Sequence, residues 1–325
     1  MAPLRRALLA ALLAGLALGV PAATAALATQ STWHGRQIKV YDAQTAGRHG
    51  QGVTVAVLDG WIDRAHPDFG GRALQGADCT GGSCVAGQGS NDHCGQDHGT
   101  HVAGTVASSS FGMAGRVTLL PVRVLTADGA ECIGTAEHVA AGIRYAVQHG
   151  ARVLNLSLGP DIGGIGASTT IATAVHEAAA AGAVVVFSAG NAAKPVSQTY
   201  GSDALVVAAT GPSGRIADYS QYGAGVSVAA PGGQPTTTGC AAGEAECCTR
   251  SLCITSLYPG GQYAVAAGTS MAAPHVSGVA ALLFGQSPGR SRQSVLDRIT
   301  GTAHPLAGAG AGLVDARAAL GVRAP

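Results

Sequence analysis

Charge is scarce in this sequence: 11% of its 325 residues are Asp, Glu, Lys or Arg, against 47% hydrophobic ones. So little charge and so much apolar surface exclude a disordered, solvating chain. Lysine is nearly absent, with Lys39 and Lys194 alone. No basic run follows the first few residues, and 19 basic against 18 acidic side chains leave a formal charge of +1. Nothing therefore reads as a nucleic-acid footprint. Aromatic residues make up 4%, and the 49 glycines keep no strict period, which rules out a collagen-like fibre. Past the N-terminus no apolar run is long enough to span a bilayer. The length suits one large α/β domain or two small ones.

The N-terminus does carry an apolar run. Arg5 and Arg6 precede fourteen uncharged residues, Ala7 to Val20, followed by Pro21 and the small-residue stretch to Ala25. A basic start, an apolar middle and Ala23-Thr24-Ala25 form a cleavable export signal. As a membrane anchor the run is too short, because fourteen residues at about 1.5 Å each fall short of a ~30 Å core. We therefore expect a leader over 1–25, a single domain over 26–325, secretion, and no membrane contact once the leader is removed.

Cysteine supports that compartment. Cys79, Cys84, Cys94, Cys132, Cys240, Cys247, Cys248 and Cys253 are an even eight, which in an exported chain reads as disulfides. The spacing between 240 and 253 is a poor zinc template. Cys79 with Cys84 is one possible pair. Cys247 and Cys248 can bond each other only with strain, so the pairing within that cluster stays open.

Along the chain, continuous apolar runs alternate with helical patterns. Val53–Leu58, Val117–Leu125, Val153–Leu158, Ala183–Phe187 and Leu205–Ala209 have the character of strands buried on both faces. Ile171, Ala174, Val175 and Ala178 fall on one helical face, as do Val139, Ile143, Ala146 and Val147, with Gly182 and Gly150 as stops. The alternation predicts a doubly wound, mainly parallel sheet with helices on both faces and a site beyond the strands' carboxyl ends. Residues 235–257 show neither period and read as a stapled surface loop. No internal repeat or linker is present.

Three segments carry chemistry: Val55-Ala-Val-Leu-Asp59, His98-Gly-Thr-His101-Val-Ala-Gly-Thr105, and Gly268-Thr-Ser270-Met-Ala-Ala-Pro-His275-Val-Ser-Gly278. Asp, His and Ser in this order, with Asn155-Leu-Ser-Leu-Gly159 and Ser188-Ala-Gly-Asn191 between, resemble the subtilisin-like serine proteases. The short run from His98 to Leu125 is more similar to the proteinase K-like branch, and relatives there bond the cysteines matching Cys94 and Cys132. The resemblance implies a secreted serine endopeptidase acting on protein or peptide substrates, a monomer needing no cofactor for catalysis. Ser270 would be the nucleophile, His98 its base, and Asp59 the group that orients the imidazole. Asn191 and the Ser270 N–H would receive the oxyanion. An extended peptide would add along Gly134–Glu137 and Leu156–Gly159, so Gly134, Leu156, Ser157, Leu158 and Gly159 would bind substrate. The Leu156–Pro160 and Ser188–Gly190 segments, with Ser188, Ala189 and Gly190, would wall the pocket before the cut. Asp161 lies close to that pocket, where small or apolar residues are expected.

Other residues have plainer readings. Asp63 lies past the strand end, Asp97 is a chain neighbour of His98, and His101 reads as packing. His275 is about 140° round the helix from Ser270 and cannot be its base. Departures from the family also stand out. Gly60 and Trp61 replace its usual hydroxyl residue and glycine after the aspartate, which would deprive Asp59 of a hydrogen bond. Only Ala26–Leu58 separates the leader from Asp59, too little for the family's folding prodomain. Ser227 stands near where proteinase K-like relatives carry a calcium-binding aspartate, so structural calcium is possible but unsupported, and no metal site is expected. Two alternatives follow: a catalytically impaired pseudoprotease that binds or regulates, or a dedicated maturation protease.

Overall fold

In the computed structural model, the described residues are 32–91, 93–128, 131–159, 168–197, 199–236 and 247–323. The expected leader, Cys240, Pro160 and Asp161 lie outside them. Two short helices, α1 (Trp33–Gln37) and α2 (Val40–Thr45), precede the first strand, β1 (Thr54–Asp59). Two edge strands follow, β2 (Ala77–Asp78) and β3 (Val85–Ala86), and then helix α3 (Gln96–Ala107). Strand β4 (Thr118–Arg123) leads into a small hairpin, β5 (Thr126–Asp128) with β6 (Glu131–Ile133), and into helix α4 (Ala136–Gln148). Strand β7 (Ala151–Leu156), helix α5 (Thr169–Ala180) and strands β8 (Val184–Ser188), β9 (Ala204–Thr210) and β10 (Val228–Pro231) continue the alternation. A hairpin of β11 (Ile254–Tyr258) and β12 (Gln262–Ala266) precedes α6 (Thr269–Gln286), α7 (Arg292–Gly301) and α8 (Ala316–Leu320).

The main sheet has eight strands in the order β10-β9-β8-β7-β1-β4-β2-β3. Every pairing in it is parallel except β2 with β3. This is the doubly wound sheet expected from the apolar runs. Alternate residues of each strand enter different cores. Val55 and Val57 of β1, with Val153, Val184 and Val186, pack with α3 and α6. Ala56 and Leu58, with Leu154, Leu156, Val185 and Phe187, pack with α4 and α5 on the other face. A strand buried on both faces has no polar side to alternate with, hence the continuous runs.

One expectation needs correction. Residues 235–257 are not a loop throughout, because Ile254–Leu257 belong to β11 and are buried. The hairpin turn at Pro259-Gly260-Gly261 is an ordinary turn signal, but the cysteines and polar residues before it break any period. Cys79–Cys84, Cys94–Cys132 and Cys248–Cys253 are bonded, and Cys247 is also in a disulfide.

Candidate active site

Strand β1 ends on Asp59, whose side chain is fully buried. A buried carboxylate needs donors, and it has two. The Gly60 N–H donates to Oδ1 at 2.8 Å, and His98 Nδ1 lies 3.0 Å from both oxygens. Asp59 thus has a main-chain donor at position 60 although no hydroxyl is present there. A side chain there is precluded, because a Cβ on Gly60 would lie 2.3 Å from the Cys94 carbonyl oxygen. That carbonyl also accepts the Trp61 N–H at 3.2 Å.

His98 is the third residue of α3, half-buried. With Nδ1–H committed to Asp59, its Nε2 is left as the basic nitrogen. Burial alone would lower its pKa. The Asp59 carboxylate, by charge and hydrogen bond, and the Asp97 charge outweigh this and hold the imidazole above its ordinary value. Asp97 Oδ1 itself accepts the His98 backbone N–H, so its contact is with the main chain.

Ser270 is the second residue of α6, after Gly268 in a conformation (φ 154°) that only glycine adopts readily. Its Oγ donates to the Ser157 carbonyl at 3.2 Å. Asn191 is tied down by its oxygen: Oδ1 accepts the Thr269 N–H at 2.9 Å and the Thr269 hydroxyl at 2.8 Å. Thr269 Oγ1 in turn accepts the Gly190 N–H at 3.0 Å. The Asn191 amide nitrogen thus faces the open side. A Cβ built on Gly268 would lie 3.4 Å from Asn191 Nδ2 and 3.7 Å from Ser270 N, so two N–H donors flank one small space kept open by glycine. The positive end of a helix at that point favours developing negative charge.

Asp59, Ser157 and Ser188–Asn191 follow the carboxyl ends of β1, β7 and β8, where α/β sheets place their ligands. Leu156, Leu158 and Ala189 are buried in the apolar cores, and Ser157 and Ser188 are also buried, so this wall offers backbone. Gly190 is half-buried. The expected peptide edge at Gly134–Glu137 is corrected at its far end: Thr135 caps α4, and Ala136 and Glu137 are helical. Helical residues do not present the alternating N–H and C=O groups of an extended edge to which a strand can add. The extended stretch before it is β6, with half-buried Gly134 next.

Asp63 points elsewhere, accepting the N–H groups of Ala65 and Gly260. His101 donates to the Ile254 carbonyl, and His275 joins the Met271 carbonyl to the buried His34. Both are buried, and His101 packs as expected. Ser227 Oγ is occupied by the Val206 N–H. Among the described residues no three His, Cys, Asp or Glu are grouped to hold a metal. Sequence reasoning assigned no role to Thr269 or Ser277; both stand in the motif around Ser270, but their partners lie far away in the chain.

The subtilase family model matches residues 50–318. Thermitase of Thermoactinomyces vulgaris is 38% identical over 269 residues, covering 80% of this chain and 84% of thermitase. Subtilisin BL of Lederbergia lenta is 36% identical over 297 residues, covering 88% and 97%. A solved protease structure from Pseudoalteromonas arctica superposes with a TM-score of 0.73 at 29% identity, covering 89% of this chain and 96% of that one. These matches do not single out the proteinase K-like branch.

Proposed function

The chain belongs to the subtilase family and is a serine-type endopeptidase; from that premise we propose that Asp59, His98 and Ser270 form its catalytic triad. His98 Nε2 takes the Ser270 proton as Oγ attacks the scissile carbonyl. Asp59 holds the imidazole with Nε2 forward and stabilises the imidazolium that forms. The oxyanion sits between Asn191 Nδ2 and the Ser270 N–H. His98 then protonates the leaving amine, and water attacks the acyl-enzyme by the reverse sequence. Two observations carry this reading: His98 Nδ1 lies 3.0 Å from both Asp59 oxygens, and the Asn191 and Ser270 nitrogens flank one space at Gly268.

Ser270 Oγ rests on Ser157 O, and rotation about one side-chain bond frees it, since catalytic hydrogen bonds often form only with substrate bound. The substrates are proteins or peptides outside the cell. Three described disulfides and the basic–apolar leader both favour an oxidising compartment. Among the described residues no helix is long and apolar enough to cross a membrane. Gly60 supports an active enzyme, because Asp59 keeps its donor without a hydroxyl at that position.

The test is casein hydrolysis by the secreted protein beside a Ser270→Ala control, with sulfonyl-fluoride labelling of both. Activity and label at Ser270 that vanish in the control support the triad. A folded wild type that is inert and unlabelled refutes it.

A further inference from the structure

Beneath Ser270 lies a buried chain of side-chain hydrogen bonds that the triad does not use. Ser277 Oγ donates to Asn155 Oδ1 at 2.8 Å, and Asn155 Nδ2 donates to Ser157 Oγ at 3.0 Å. Ser157 Oγ then donates to the Ser270 carbonyl at 2.8 Å. The chain leaves α6 at Ser277, crosses to β7 and its exit, and returns to α6 at Ser270, about two turns away. Asn155 and Ser277 are fully buried, and Ser157 is 3% exposed. No water competes for these groups, so each must find its partner inside the protein.

We propose that Ser277 and Asn155 are positioning residues for the nucleophile, acting through Ser157. The proposal rests on the reading of Ser270 as the attacking group. An asparagine amide has one accepting and one donating end. Ser277, on the α6 side, donates, so Oδ1 must face it and Nδ2 must face Ser157. Ser157 Oγ then accepts, and its own proton has one place left to go: the Ser270 carbonyl. That bond fixes the main chain at the first turn of α6, where the Ser270 N–H lies beside Asn191 Nδ2. It also holds the Ser157 segment, whose carbonyl receives Ser270 Oγ at rest.

Reversing the amide undoes this. Oδ1 would then draw the Ser157 proton to itself, and the Ser270 carbonyl would lose its donor. Ser277 opposes that reversal. A helical serine ordinarily bonds the carbonyl four residues back, whereas Ser277 reaches across to another element.

The test is a double-mutant cycle on the full secreted protein. Ser277→Ala is expected to lower kcat, and the rate of inactivation by a sulfonyl fluoride, about five- to tenfold, with KM changed less than twofold. This is the size of one directional hydrogen bond. In a Ser157→Ala background the same substitution is expected to change neither rate, because the chain is already cut. A Ser277→Ala enzyme equal to wild type overturns the proposal. So does a loss that persists undiminished in the Ser157→Ala background, which would mark a packing effect. Should Ser277→Ala fail to fold, Asn155→Asp, assayed from pH 7 to pH 10, carries the test: burial favours the neutral acid, which can donate to Ser157 as the amide does, whereas the ionised carboxylate accepts from both serines. The same loss is therefore expected to set in as pH rises, relative to wild type at each pH, and wild-type rates over the whole range overturn the proposal. Absence of label on wild-type Ser270 would instead sink the triad itself, so the two failures are told apart.

Discussion

Acid should destabilise this protein through three buried histidines, and His34→Leu isolates one share of that effect. His34, His101 and His275 are buried between α1, α3 and α6. Burial, then the charges of His275, His101 and Arg36, hold His34 well below its ordinary value. Burial pushes His101 down to about 3, with His98 and His275 adding to it and bonds to the Ile254 and Ala264 carbonyls opposing. Burial lowers His275 to about 4, against its bond to Met271. In the unfolded chain all three take a proton near pH 6.5, while the folded protein keeps them neutral. The unfolded state therefore binds more protons, and stability falls as pH drops below 6.5. Each proton contributes about 1.4 kcal/mol per pH unit, so a histidine still neutral at pH 5 costs about 2 kcal/mol there. His98 works the other way, its raised pKa favouring the folded state below 6.5. In a Ser270→Ala background, which prevents self-digestion, urea unfolding would compare His34→Leu with its parent. At pH 7 the variant is less stable by about 1–3 kcal/mol, because His275 Nε2 loses its 2.9 Å partner. From pH 6 to pH 5 that gap should narrow by about 1.2 kcal/mol, since the variant has one fewer proton to take up on unfolding. Carboxylates and His98 titrate alike in both and cancel. A gap that stays constant over this range would refute the argument.

Three further outcomes are expected. Gly60→Thr, which restores the family's usual hydroxyl, should lower kcat/KM and the melting temperature, because its Cβ would meet the Cys94 carbonyl oxygen at 2.3 Å; overpacking of this kind costs about 1–3 kcal/mol, and a gain in activity would contradict it. Thr269→Val keeps the shape but removes the hydroxyl that joins Asn191 Oδ1 to Gly190 N, so kcat should fall about tenfold and recover in Thr269→Ser; equal rates in Val and Ser variants would count against it. Replacing Cys94 and Cys132 together by serine opens a loop of sequence separation 38 and should cost about 4 kcal/mol of unfolding free energy by urea titration; a change below about 1 kcal/mol would contradict the loop-closure argument.

Most of the sheet was readable in the sequence because doubly buried strands are continuous apolar runs, and β1, β7, β8 and β9 lie where Val53–Leu58 and its counterparts predict. Helices α1 and α2 were not, since five or six residues carry no period. What holds α1 is distant: Trp33 Nε1 donates to the Cys253 carbonyl, 220 residues away, and His34 bonds His275. The same distance hid part of the site. Asp59, His98 and Ser270 stand in recognisable local motifs, whereas Thr269 meets Asn191 across 78 residues and Ser277 meets Asn155 across 122.

Gly60 shows why a local rule can mislead. Read along the chain, it is a lost hydroxyl beside a catalytic carboxylate, and it motivates an impaired enzyme. Folded, it belongs with another feature of the sequence, the Cys94–Cys132 pair. The bonded Cys94 segment presses its carbonyl onto position 60 and takes the Trp61 N–H. Only a residue without a Cβ allows that approach, and the backbone N–H that remains donates to Asp59 at 2.8 Å. The glycine and the disulfide-held carbonyl are one arrangement, and a departure at one position is compensated at the other. Replacing either alone should therefore disturb Asp59 more than the sequence of the β1 strand end would suggest.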